Sequence, residues 1–232
     1  MIGISVLGDD ISTNEYSYKL YDTRIYYEDE LKFNNTMLKK QHLWWMQVIK
    51  AFDAELCKAN TIINSGVSGW DFPSGLSDER IKTLGTKKQT PDIILIYLGL
   101  NDFITGTRIK GSLDSIYDCN CFDNAYTYML HKIKVMFPHA KIVCGTLMRT
   151  TIKTEPQWVF PDVYALEALD TYNTAIRHAC AKEKCDVAEL GSIYSKYESC
   201  DGKHATLQGH KMLAEEWINA LKNIDSICFT KT

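Results

Sequence analysis

Four short polar turns hold the residues whose types and spacing suit chemistry: Gly8-Asp-Asp10, Ser68-Gly69, Gly99-Leu-Asn-Asp102 and Asp201-Gly-Lys-His204. An Asp and a His at i and i+3 on a turn place a carboxylate against one ring nitrogen. That fixes the tautomer and leaves the other nitrogen facing outward as a base. Gly69 offers a backbone N–H with no side chain in the way, and Asn101 offers an amide donor. Two such donors aimed at one point form an oxyanion hole.

These turns need elements that bring them together, and the hydrophobic pattern supplies them. The chain opens on a mostly apolar run that ends at Gly8, which reads as a buried strand delivering Asp9, Asp10 and Ser12 to its carboxyl end. Residues 43–58 carry a wide apolar helical face, and residues 61–64 a second strand. A short helix is expected over 77–81. The nearly continuous apolar run at 92–98 is the pattern of a parallel strand covered on both faces. Apolar residues at 122, 125, 126, 129, 130, 133 and 137 make one helical stripe, which Pro138 stops. Strands at 141–147 and 185–190 flank a helix at about 164–183, and Thr206 is the expected N-cap of a closing helix. Strands alternating with helices imply one α/β domain over 1–232, a three-layer α/β/α sandwich. Its five-stranded parallel sheet should have the order 2-1-3-4-5, with right-handed crossovers. The first three turns then open on one sheet edge. Excursions at 14–41, 104–120 and 148–162 should surround the crevice there, since loops at strand ends set substrate choice.

Composition narrows the partners. With 26 basic and 29 acidic residues the net charge is −3, which gives no electrostatic footprint for nucleic acid or an anionic membrane. No apolar run reaches the length of a membrane span, and no basic segment or apolar core precedes the first strand, so a cytoplasmic location is expected. The eight cysteines form no CxxC pair with a partner pair. Free thiols are expected rather than zinc or disulfides, and no cofactor or metal is called for.

The order and spacing of the four turns resemble the SGNH (GDSL-like) esterase and lipase family, whose blocks carry Gly-Asp-Ser, a Gly, Gly-x-Asn-Asp and Asp-x-x-His. The resemblance covers nearly the whole chain. Leu43-Trp-Trp45, Phe72-Pro-Ser-Gly75, Ser77-Asp-Glu-Arg-Ile81 and Pro91-Asp92 are similar to a bacterial subgroup. The resemblance implies that His204 is the base and Asp201 its orienter. It also implies that Gly69 and Asn101 are oxyanion donors together with the N–H of residue 10. The substrate implied is a small-molecule or carbohydrate ester carrying an acetyl or other short acyl group.

One departure matters more than the matches: Asp10 stands where the family has its nucleophilic serine. A carboxylate attacking an ester would form an anhydride, and its charge would sit where the oxyanion should develop. The expectation is therefore an ester-hydrolase scaffold inactivated at Asp10. A non-catalytic ligand-binding module is the alternative. A third reading has Asp9, Asp10 and Asp102 holding Mg²⁺, as in phosphotransfer domains of similar topology. Asp9 and Asp102 are expected to be structural, and Ser12, two residues beyond the turn, to point elsewhere.

Overall fold

The computed structural model describes residues 1–13, 38–62, 64–69, 74–86, 89–110, 118–165 and 167–225. Strand β1 (Gly3–Gly8) is buried along its whole length, as is β3 (Ile93–Tyr97), and the two pair in parallel. Continuous apolar burial is what a central strand with both faces covered requires. On its other side β1 pairs in parallel with β2 (Glu55–Thr61). Strand β4 (Lys141–Gly145) follows β3, and a short β8 (Asp186–Ala188) closes the far edge, giving the order β2-β1-β3-β4-β8. This is the expected 2-1-3-4-5 order of an α/β/α sandwich, with β8 as its fifth strand. The register sets Gly8 opposite both Thr61 and Tyr97, so three strands end level and their following turns converge.

Two helical pairs flank the sheet. Helix α1 (Trp44–Ala51) packs on the closing helix α6 (Leu207–Lys222), and α4 (Phe122–Met136) packs on α5 (Leu169–Glu183). Trp44 stacks on Trp217 with ring centroids 4.9 Å apart, and Tyr97 of β3 meets both rings edge-on. Thr206 caps α6 by accepting from the Gly209 N–H, as its position in the sequence suggested.

Several boundaries differ from the sequence expectation. The first helix stops at Ala51, not residue 58, because Asp53 turns to a φ of 49° and the Ala54 N–H closes back onto the Ile49 carbonyl. The freed residues enter β2, which therefore lies ahead of the 61–64 stretch. The expected short helix is α2 (Asp78–Lys82), capped by Ser77. The loop expected over 104–120 begins inside a helix, α3 (Leu100–Thr105), closed by Gly106 at a φ of 70°. Helix α5 begins at Leu169, not 164, since a hairpin of β6 (Val163–Tyr164) and β7 (Glu167–Ala168) precedes it. A second small parallel sheet, β5 (Arg149–Ile152) beside β9 (Lys196–Ser199), lies where the sequence pattern suggests only loops. Residues 14–37 and 111–117 of the expected excursions lie outside the described residues, as do 70–73 and Cys228. The seven described cysteines are free thiols, and no described helix is long and apolar enough to cross a membrane.

Candidate active site

Strand β1 ends where the backbone has no room for a side chain: a Cβ on Gly8 would lie 2.4 Å from the Ser12 Cβ. The tight turn that follows is held by Asp9, whose carboxylate accepts the Ile11 N–H at 3.1 Å. Ser12 faces away from the crevice. Its Oγ accepts the Trp44 indole N–H at 3.0 Å and its carbonyl the Trp45 indole N–H at 2.8 Å. Beneath the turn lies Arg80, fully buried, donating to the Gly8 carbonyl (2.6 Å), Ser65 Oγ (2.9 Å) and Asn60 Oδ1 (2.7 Å). Its planar fork ties the ends of β1 and β2 to the next turn.

Asp10 is the hub of the site, and its side chain is shut off from solvent. Oδ2 accepts from Asn101 Nδ2 at 2.7 Å and lies 3.1 Å from Lys203 Nζ. Oδ1 accepts the Asn64 N–H at 2.9 Å and lies 3.5 Å from His204 Nε2. Burial alone would raise this carboxyl, but the bond from His204 and the charges of Lys203 and His204 outweigh it and hold it below the usual carboxylate range. Asp9 moves the other way. Burial and the neighbouring Asp10 charge push it up, against the pull of Lys203 and Arg80.

The Asp201–His204 loop is a folded unit. Asp201 Oδ2 bonds His204 Nδ1 at 2.5 Å, while Oδ1 accepts the N–H groups of Lys203 (3.0 Å) and His204 (2.9 Å). One carboxylate thus shapes the turn and orients the ring, leaving Nε2 toward Asp10. The small second sheet holds the loop from below: Thr150 of β5 donates to the Gly202 carbonyl at 2.7 Å, and the Trp158 ring packs under Gly202. Thr150 and Trp158 therefore bring part of the 148–162 stretch against the His204 loop.

Asn101 sits in the first turn of α3, and its Nδ2 also donates to the Ser65 carbonyl at 3.0 Å. Asp102 beside it accepts the N–H groups of Val67 (2.7 Å) and Ser68 (3.1 Å), which sets the 66–69 turn and leaves Gly66 no space for a Cβ. Gly69 takes a φ of 93°, and its N–H donates to the Cys119 carbonyl at 2.8 Å. Serving an oxyanion would require that bond to open. The structure thus joins Asp10, Asn101, His204 and Asp201 in one connected group and commits the Gly69 N–H elsewhere. Lys203, Asn64 and Arg80 belong to the group and escaped the sequence reading. The only hint of Lys203 was its place between Asp201 and His204. Among the described residues no three His, Cys, Asp or Glu side chains are grouped to hold a metal ion.

A family model described as GDSL-like Lipase/Acylhydrolase matches residues 2–219. The chain belongs to this family. Solved structures similar to this GDSL-like chain share its fold at low identity. A protein described as a GDSL-like lipase from Bacteroides ovatus is 22% identical, with a TM-score of 0.67 over 93% of this chain and 95% of its own. An acetyl xylan esterase from Butyrivibrio proteoclasticus is 16% identical, with a TM-score of 0.57 over 96% of this chain and 63% of its own. A family two carbohydrate esterase from Clostridium thermocellum, solved with cellohexaose, is 17% identical, with a TM-score of 0.59 over 96% and 64%. A search of curated protein sequences gave no match. Within the GDSL-like frame, the first strand turn of this chain presents a carboxylate.

Proposed function

We propose that this chain is a GDSL-like ester-hydrolase scaffold, built for short acyl or acetyl esters of carbohydrates or small molecules, in which Asp10 disables acyl transfer. In the serine form His204 would take the nucleophile's proton and Asp201 would orient the imidazole. The N–H of residue 10, Asn101 and, once its bond to Cys119 opens, Gly69 would receive the oxyanion. The observation that carries this reading is the contact of His204 Nε2 with Asp10 Oδ1 while Nδ1 is clamped by Asp201. This contact supports the reading in which His204 is the base, Asp201 its orienter and residue 10 the nucleophile position. The acetyl xylan and carbohydrate esterases among the structural neighbours support the choice of substrate class.

Asp10 blocks the reaction twice over. Attack by its carboxylate on an acyl carbon gives a labile anhydride, and its fixed charge already occupies the Asn101 donor. That second point also favours the alternative of a binding module, since a site whose donors are satisfied internally is built to hold shape. An organophosphonate separates the two readings. Asp10→Ser should be labelled at residue 10, and the unchanged chain should not. If a folded Asp10→Ser chain neither labels nor hydrolyses any ester in a broad panel, the binding-module reading replaces this one.

A further inference from the structure

We propose that Asp10 is itself a nucleophile, acting on saturated carbon instead of acyl carbon, and that the chain hydrolyses primary alkyl electrophiles whose leaving group departs as a stable anion, such as alkyl halides and sulfonates. This goes beyond the esterase reading and concerns the chain with its aspartate in place.

The argument starts from what a carboxylate does well. On an acyl carbon it makes an anhydride, but on a saturated carbon it makes an ordinary ester. An ester on the enzyme, with a His–Asp pair beside it and amide donors behind it, is what the second half of an esterase cycle consumes. At Asp10 the parts for that half are assembled. Oδ1 lies on the His204 side and accepts the Asn64 N–H at 2.9 Å, a bond that alkylation must loosen, and Oδ2 is held on the other side by Asn101 Nδ2 at 2.7 Å and Lys203 Nζ at 3.1 Å. The two oxygens have different partners and so different roles. The carboxyl is kept ionised by those partners despite its burial. Lys203 and His204 stand between Asp10 and solvent, with side chains 15% and 18% exposed, so an alkyl chain reaches Oδ1 only when these two side chains move aside.

The steps balance. In the first, an Oδ1 lone pair forms a bond to the alkyl carbon while the carbon–halogen or carbon–sulfonate bond breaks, its electron pair leaving as the anion. The negative charge passes from Asp10 to the leaving group, and the Lys203 ammonium stays beside the esterified carboxyl. In the second, the neutral His204 imidazole, no longer paired with a charged Asp10 once that carboxyl is an ester, takes a proton from water at Nε2 and the hydroxide adds to Asp10 Cγ. The charge that develops on Oδ2 falls on the Asn101 and Lys203 donors. Collapse expels the alkoxide from Oδ1, which takes the proton back from His204 and leaves as the alcohol. Asp10 is regenerated as an acid that ionises, so the sum is alkyl halide plus water giving alcohol, halide and a proton. One water oxygen remains in Asp10, and one old carboxylate oxygen leaves in the product.

Butyl bromide and butyl tosylate are the probes, read by intact mass and peptide mapping, because seven described thiols are competing targets. His204→Gln keeps the nucleophile and lacks the base. It should gain one butyl group per chain at Asp10, as a hydroxylamine-sensitive ester, while Asp10→Asn gains none there. With the unchanged chain, a single turnover in heavy-oxygen water should place the label in Asp10 and release unlabelled butanol. This second measurement needs no substitution and stands if His204→Gln fails to fold. Alkylation confined to cysteines, or label entering the alcohol and not Asp10, overturns the proposal. Either result leaves the esterase reading intact, since that reading depends on Asp10→Ser.

Discussion

Burial and the adjacent Asp10 charge push the Asp9 carboxyl from 3.8 to about 8, while Asp10, with Lys203 and His204 against it, is held low. The two neighbours therefore contribute oppositely to pH dependence. Asp9 keeps its proton in the folded chain well above the pH at which the unfolded chain releases it. Its contribution is fully present below about pH 4 and lost as the pH rises through about 8. Asp9→Asn mimics the protonated form and keeps an acceptor for Ile11. The drop in melting temperature between about pH 5 and about pH 9 should be smaller in this variant than in the unchanged chain, as thermal unfolding at the two pH values will show. The Asp201–His204 spacing and the Gly99-Leu-Asn-Asp102 turn were legible because they serve geometry that a short motif encodes. Lys203 was not, since a lysine in a polar loop reads the same whether it faces water or a buried carboxylate. The bond from Gly69 to Cys119 joins residues 50 positions apart, and no local pattern marks it.

Strand identity was legible where burial is continuous, as in β1 and β3, and poor where it is not. Strand β2 alternates irregularly between exposed and buried positions along Glu55–Thr61, so its sequence gives neither an apolar run nor a period of two. The overrun of the first helix has the same kind of cause, for Asp53 closes it in a left-handed conformation more often filled by glycine or asparagine. Sheet β5–β9 escaped because four-residue polar strands carry almost no pattern. Another non-glycine residue in the left-handed conformation is Lys184, exposed, with a φ of 54° at the end of α5. Its side chain is exposed, so burial offsets little of the steric cost. Lys184→Gly should raise stability by about 1 kcal/mol, seen as a higher denaturant midpoint at unchanged slope. A lower midpoint would mean that the lysine makes a stabilising contact.

Across the whole molecule, the level ends of β1, β2 and β3 bring the turns together, and the aromatic stack of Trp44, Tyr97 and Trp217 fixes two helices to that sheet. Truncating Trp217 to Ala removes a fully buried indole and should cost about 3–5 kcal/mol, measured as a lower denaturant midpoint. Trp44 of the same stack also donates to Ser12 behind the Asp10 turn, so packing and the geometry of that turn are coupled through one side chain. On the proposed reading this architecture is an esterase scaffold whose serine is replaced, and hydrolysis of an aryl acetate by the unchanged chain and by Asp10→Ser, measured side by side at neutral pH, decides it. The serine form should be faster by on the order of a thousand-fold or more. Equal rates in the two forms, with both chains folded, would contradict it.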